Sequence, residues 1–105
     1  MQRIVEPEIM GEIEQAKAYD GADFSGAHNR RVDVFRELAP PKAQRGEFLD
    51  LGCGSGDLIF RFLSAFPESS IVGIDGSQAM IEFARDTLVR RPEFQARASF
   101  LIDFI

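Results

Sequence analysis

The sequence is poor in the residues that build disulfides, metal sites and membrane spans. Its 105 residues include one cysteine, one histidine and no tryptophan. A single cysteine, Cys53, excludes an intrachain disulfide, and no Cys/His cluster offers metal ligands at a usable spacing. No window approaches about 18 uninterrupted apolar residues, and the segment MQRIVEPEIMGEIEQ is too charged for the core of a signal peptide. These absences predict a cytoplasmic protein with no metal and no membrane contact.

The sequence also has fewer basic residues than acidic ones. Twelve lysines and arginines stand against 17 aspartates and glutamates, which gives a net charge of −5. A surface that binds phosphate backbones through counterion release needs the opposite sign, so no nucleic-acid partner is predicted. The hydrophobic fraction of 45% is typical of a globular chain. The length suits one domain, and we expect a single domain over residues 1–105.

Residues 1–41 carry helical patterns and form a helical preface to the rest of the chain. Apolar residues recur at helical spacing over residues 7–19, and after a glycine-containing break a second helix is predicted over residues 27–39. Pro40 and Pro41 end it. The apolar face of this second helix is expected to comprise Val32, Phe35 and Leu38.

From residue 48 onward, short apolar runs alternate with helical patterns. The runs have the length and composition of buried parallel strands, and they cover residues 48–51, 70–74 and 98–102. One helix ends before Pro67, and Ser77 caps a second that runs to about Arg90. This alternation predicts an α/β chain with a right-handed parallel βαβαβ unit over residues 48–105.

Three glycines, Gly52, Gly54 and Gly56, stand at every second position directly after the first predicted strand. Glycine inside a helix or strand costs roughly 0.5–1 kcal/mol relative to alanine, so the cluster indicates unusual backbone geometry or the close approach of a ligand. Parallel sheets bind ligands outside the carboxyl ends of their strands. Asp75 ends the second strand about 20 positions later, where a carboxylate binds the hydroxyls of a ribose. A tight corner that needs no ligand is the alternative.

A nicotinamide dinucleotide is one ligand with such a ribose. Its fingerprint is G-x-G-x-x-G, whereas this turn reads G-x-G-x-G and continues with Asp57, a carboxylate poorly placed beside a pyrophosphate. The sequence LDLGCGSG, with GIDGSQAMIEFAR behind it, instead resembles the class I methyltransferases that use S-adenosylmethionine. The resemblance covers residue 48 to the end and matches the family's acidic residue followed by three alternating glycines.

The resemblance implies cofactor-binding roles for ten residues. The three glycines pass beneath the amino acid portion of the cofactor, Asp50 orders the loop or reaches the ammonium group, and Asp75 binds the ribose. Met80 packs against the adenine or simply belongs to a helix face. Asp103 accepts from the adenine amino group or is a surface aspartate. The implied set is Asp50, Gly52, Cys53, Gly54, Gly56, Asp75, Gly76, Met80, Asp103 and Phe104, with Cys53 as a small residue that fits the turn.

The activity that the resemblance implies is methyl transfer by in-line displacement to an unknown acceptor, with a small molecule favoured. No catalytic residue is assigned. His28 and Tyr19 are candidates, and a lone histidine at a helix start is more often a cap or surface residue than a base. The alternative is a non-catalytic module that binds S-adenosylmethionine or S-adenosylhomocysteine and needs a partner chain.

The family's fold is a Rossmann-like, seven-stranded sheet ordered 3-2-1-4-5-7-6. The resemblance implies that this chain supplies three parallel strands in the order 3-2-1, with flanking helices and an N-terminal helical segment, and we expect the second half of the family's sheet to be absent. The first strand therefore lacks a neighbour on one side, and such an apolar edge invites pairing. We expect a homodimer through this edge, or a fragment of a longer chain.

Overall fold

The computed structural model describes residues 25–104. In chain order its main elements are α1 (Ser25–Leu38), β1 (Gly46–Leu51), α2 (Asp57–Ala65), β2 (Ser69–Asp75), α3 (Gln78–Val89) and β3 (Ala98–Ile102). Two short 3-10 helices, Pro41–Gln44 and Pro92–Phe94, precede β1 and β3. The helix predicted over residues 7–19 lies outside the described residues.

The three strands form one parallel sheet with β2 in the centre. In this register Phe48 of β1 aligns with Ile71 of β2, and Gly73 of β2 aligns with Phe100 of β3. The strand order β1-β2-β3 is the predicted 3-2-1 order, so the α/β class and the topology are confirmed. Parallel neighbours require crossover connections, and α2 and α3 supply them.

The core lies between one face of the sheet and the two crossover helices. Because Ile71 aligns with Ala98 and Gly73 with Phe100, the buried side chains of β2 and β3 share this face. Together with α2 and α3 they form a single apolar cluster: Cys53, Ile59, Phe60, Leu63, Ile71, Ile81, Ala84, Phe94, Ala98 and Phe100. Cys53, in the turn after β1, belongs to this cluster, so the core extends to the carboxyl end of that strand.

The alternate residues of the strands lie on the opposite face of the sheet. The side chains of Leu49 and Leu51 of β1 and Leu101 of β3 stay 59%, 49% and 50% exposed. Within residues 25–104, β1 pairs only with β2, so its outer edge has no hydrogen-bonded neighbour in that part of the chain. Within these residues, β1 therefore has the unpaired edge that the sequence predicts.

Helix α1 packs against α2. The ring of Phe35 makes edge-on contacts with Phe48, Phe62 and Phe66, at centroid distances of 5.8, 5.1 and 5.4 Å. Val32 is buried, but Leu38 is 79% exposed, so its predicted place on the apolar face is wrong. Leu38 is the last residue of α1 and lies beyond the turn that carries Phe35.

Candidate cofactor-binding site

The turn after β1 has the backbone geometry that its glycines suggest. Gly52, Gly54 and Gly56 have φ angles of +79°, +57° and +90°, and no other residue type in the described part of the chain has a positive φ. Side chains disfavour this left-handed region, so each position calls for glycine. The backbone N–H groups of Gly52 and Cys53 both donate to the carbonyl of Ile74, at 2.6 and 3.1 Å, and this ties the turn to β2.

The Asp75 carboxylate joins this turn to the loop that follows β2. Its Oδ2 accepts from the N–H of Gly54 and its Oδ1 accepts from the N–H of Ser77, both at 2.9 Å. Each carboxylate oxygen keeps a further lone pair, so Asp75 can still accept from the hydroxyls of a ligand. Ser77 in turn caps α3, because its Oγ accepts from the N–H of Met80 at 3.2 Å, which confirms the predicted cap.

A second carboxylate lies near the same edge of the sheet. Asp50 is half-buried in β1, and this burial raises the pKa of its carboxyl above the ordinary value. The charge of Arg31 lowers the pKa again, and the neighbouring Asp75 carboxylate raises it. The carboxylates of Asp50 and Asp75 are therefore close enough to influence one another, and together they would attract a cation to this edge of the sheet.

The Cys53 side chain is buried and lies close to Gly73 of β2. Burial, with the nearby Asp50 and Asp75 carboxylates, raises the pKa of its thiol to about 12. The thiol therefore stays protonated at neutral pH, and a nucleophilic role has no support. Its Sγ lies 2.8 Å from the position that a Cβ on Gly73 would occupy. Cys53 thus acts as the small, buried turn residue that the sequence predicts.

The remaining predicted residues border this edge of the sheet. The N–H of Asp103 donates to the carbonyl of Asp75 at 3.1 Å, so the end of β3 lies beside the end of β2. The Asp103 carboxylate accepts from the N–H of Phe104 at 2.8 Å, and both side chains are exposed. Gly76 follows Asp75 directly, and Met80 is half-buried in the first turn of α3. The ten predicted residues therefore lie in the last two residues of a strand, in the segment that follows one, or, for Met80, in the first turn of α3.

Two features of the site region were not predicted from the sequence. Gly73 inside β2 makes room for Ile59 and Cys53, and an isolated glycine within a strand pattern was a signal for such close approach. His28 is 8% exposed and its ring Nδ1 lies 2.5 Å from Oδ2 of Asp57. Its expected role as a cap or surface residue is therefore wrong, because the ring is buried in a contact with α2.

Residues 25–104 contain no group of three or more His, Cys, Asp or Glu side chains that could hold a metal ion. None of the helices in the described part is long and apolar enough to span a membrane. Tyr19, the other candidate base, lies outside the described residues.

Comparison with known proteins identifies the class to which this fold and site belong. Residues 49–102, just over half of the chain, match the methyltransferase domain family, and the chain belongs to that family. It is 35% identical over 74 residues to the trans-aconitate 2-methyltransferase of Acidovorax sp. (strain JS42). That match covers 70% of this chain and 28% of the relative, so the chain spans little more than a quarter of that enzyme's length.

Solved structures share the fold. A putative S-adenosyl-L-methionine-dependent methyltransferase from Methanococcus maripaludis matches 99% of this chain and 45% of its own, with a TM-score of 0.71 and 14% identity. The methyltransferase from Thiobacillus denitrificans, solved with S-adenosyl-L-homocysteine, matches 95% of this chain and 38% of its own, with a TM-score of 0.68 and 21% identity. The three-stranded unit is thus part of a Rossmann-like methyltransferase fold.

Proposed function

We propose that this chain is the S-adenosylmethionine-binding portion of a methyltransferase. The observation that carries the proposal is the hydrogen bond from the Gly54 N–H to the Asp75 carboxylate, at 2.9 Å. It holds a ribose-binding type of carboxylate beside three glycines in the left-handed region, a turn geometry that other residues rarely adopt. Membership of the methyltransferase domain family supports the same cofactor.

The charges of the site suit this cofactor. S-adenosylmethionine supplies a methyl group on a positively charged sulfonium, and the carboxylates of Asp50, Asp75 and Asp103 favour a cation. The glycine turn would hold the amino acid portion, Asp75 the ribose, and Asp103 with Met80 the adenine. In-line methyl transfer depends on alignment and on the exclusion of water, so the contribution of these residues is to fix the position of the cofactor.

For the methyl acceptor we propose a small carboxylic acid. The match to a trans-aconitate 2-methyltransferase supports this class of acceptor. A carboxylate is ionised at neutral pH, so methylation of its oxygen requires no general base. A methyl-transfer assay with di- and tricarboxylic acids tests the proposal: transfer to these acids would support it, and transfer only to acceptors of another class would contradict it.

The cofactor proposal is tested by calorimetric titration of the chain with S-adenosylmethionine. Saturable one-site binding is expected, and Asp75→Asn should weaken it about tenfold, because the amide loses the charge and one acceptor. The matched control is Asp86→Asn on the exposed surface of α3, which should leave the affinity unchanged. A folded chain that binds no cofactor, or equal affinities for the two variants, would contradict the proposal.

We also propose that, in the 105-residue chain by itself, the free edge of β1 pairs with β1 of a second copy. The exposed Leu49 and Leu51 side chains and the unpaired outer edge of β1 within residues 25–104 support this arrangement. Light scattering at micromolar concentration should give twice the mass of the chain, and Leu51→Lys should shift the population toward the monomer. Leu38→Lys on α1 is the control, and a monomeric unsubstituted chain would refute the dimer.

A further inference from the structure

A polar cluster links the N-terminal half of α1 to the start of α2, directly behind the glycine turn. It consists of His28, Asn29, Asp57 and Arg61. The His28 Nδ1 and the Arg61 Nε both contact Oδ2 of Asp57, at 2.5 and 2.8 Å. The Arg61 Nη1 donates to Oδ1 of Asn29 at 3.2 Å. Two adjacent residues of α1 thus contact two residues one turn apart on α2.

The Asp57 carboxylate is the centre of this cluster. Its burial raises the pKa, but the hydrogen bonds and charges of Arg61 and His28 outweigh burial, so that the pKa is lowered from its ordinary value. An ionised carboxylate can only accept, so the proton of the contact with His28 lies on Nδ1. A negative charge in the first turn of α2 is also favoured by the helix dipole.

The position of the cluster connects it to the glycine turn. Asp57 is the first residue of α2 and follows Gly56, the last glycine of the turn and the residue that caps this helix. At the other end of α1, Phe35 packs on the rings of Phe48, Phe62 and Phe66. The cluster and the phenylalanines therefore anchor α1 at two points, and only the cluster borders the turn.

We propose that His28 is a positioning residue for the cofactor: by holding Asp57, it fixes the backbone at the junction of Gly56 and α2 and keeps the N-terminal half of α1 against the turn. This inference rests on the proposed cofactor-binding function. His28 need not touch the cofactor, because its effect passes through Asp57 to the backbone on which the ligand would lie.

The test compares three variants for S-adenosylmethionine affinity and for amide hydrogen exchange. His28→Ala removes the donor and should weaken binding about tenfold, with faster exchange over residues 54–58. His28→Asn places its Nδ2 where the imidazole Nδ1 was, and should restore both readouts to within about threefold of the unsubstituted chain. Asp33→Ala, which breaks an ion pair confined to α1, is the control and should change neither.

The outcomes separate this inference from the proposed function. If the unsubstituted chain binds the cofactor and His28→Ala binds equally well, the positioning role is wrong and the cofactor site stands. If His28→Asn fails to restore affinity, the donor at Nδ1 is not what matters, and the inference is also wrong. If the unsubstituted chain binds no S-adenosylmethionine, the proposed function and the cofactor role of His28 both fail, while the exchange data still show whether His28 holds the turn.

Discussion

Gly73→Ala is expected to destabilise the chain by about 3 kcal/mol and to weaken cofactor binding about tenfold. A Cβ at this position would lie 2.7 Å from Cδ1 of Ile59 and 2.8 Å from Sγ of Cys53, and both side chains belong to the buried core. Overpacking of this kind forces side chains or backbone to move. Because Cys53 is part of the glycine turn, the displacement reaches the cofactor site.

Denaturant unfolding followed by circular dichroism measures this loss, and Gly26→Ala is its matched control. A Cβ on Gly26, within α1, meets nothing within 4 Å, and alanine favours a helix over glycine by up to about 1 kcal/mol. The control should therefore be neutral or stabilising. Ile59→Val removes the Cδ1 methyl and should recover part of the stability in the double variant. If the Gly73→Ala chain were as stable as the Gly26→Ala chain, the prediction would be wrong, because the core would have accommodated the added methyl group without loss of stability.

Arg97→Met is expected to destabilise the chain by about 3 kcal/mol while leaving the cofactor affinity of the folded protein unchanged. The Arg97 Nη2 donates to the carbonyls of Leu63 and Phe66, at 2.8 and 2.7 Å, and its Nε donates to the carbonyl of Ser69 at 2.8 Å. These carbonyls lie at the end of α2 and the start of β2, and methionine leaves them without this donor. Arg97 precedes β3, at the end of the sheet opposite to the glycine turn.

Arg90→Met provides the comparison for this prediction. Arg90 is exposed and pairs with Asp86 four residues earlier in sequence, a kind of contact that contributes a few tenths of a kcal/mol. Its replacement should change the free energy of unfolding by less than about 0.5 kcal/mol. Equal losses for the two arginine variants would mean that the three carbonyl contacts of Arg97 contribute no more than a surface ion pair.

Features that depend on a few neighbouring residues were predictable from the sequence. The spacing of Gly52, Gly54 and Gly56 indicated unusual backbone geometry, and all three have positive φ angles. Ser77 was predicted to cap α3 and does so. β3 covers the predicted residues, whereas β1 and β2 are longer than their apolar runs, because their pairing includes residues such as Gly46, opposite Ser69, in the ladder. The roles of the ten site residues in cofactor binding stay predictions.

The sequence by itself determined the order of strands and helices, the glycine turn and the carboxylate that ends β2, because hydrophobic period, capping and φ preference are local properties. Only the tertiary structure decided that His28 is buried against Asp57, that Gly73 must lack a side chain and that Arg97 bonds three carbonyls. Each of these contacts joins residues far apart in the chain. They depend on how α1 and α2 pack on one another and on the sheet. A local pattern such as the isolated glycine in β2 signals a close approach but does not say which side chains make it.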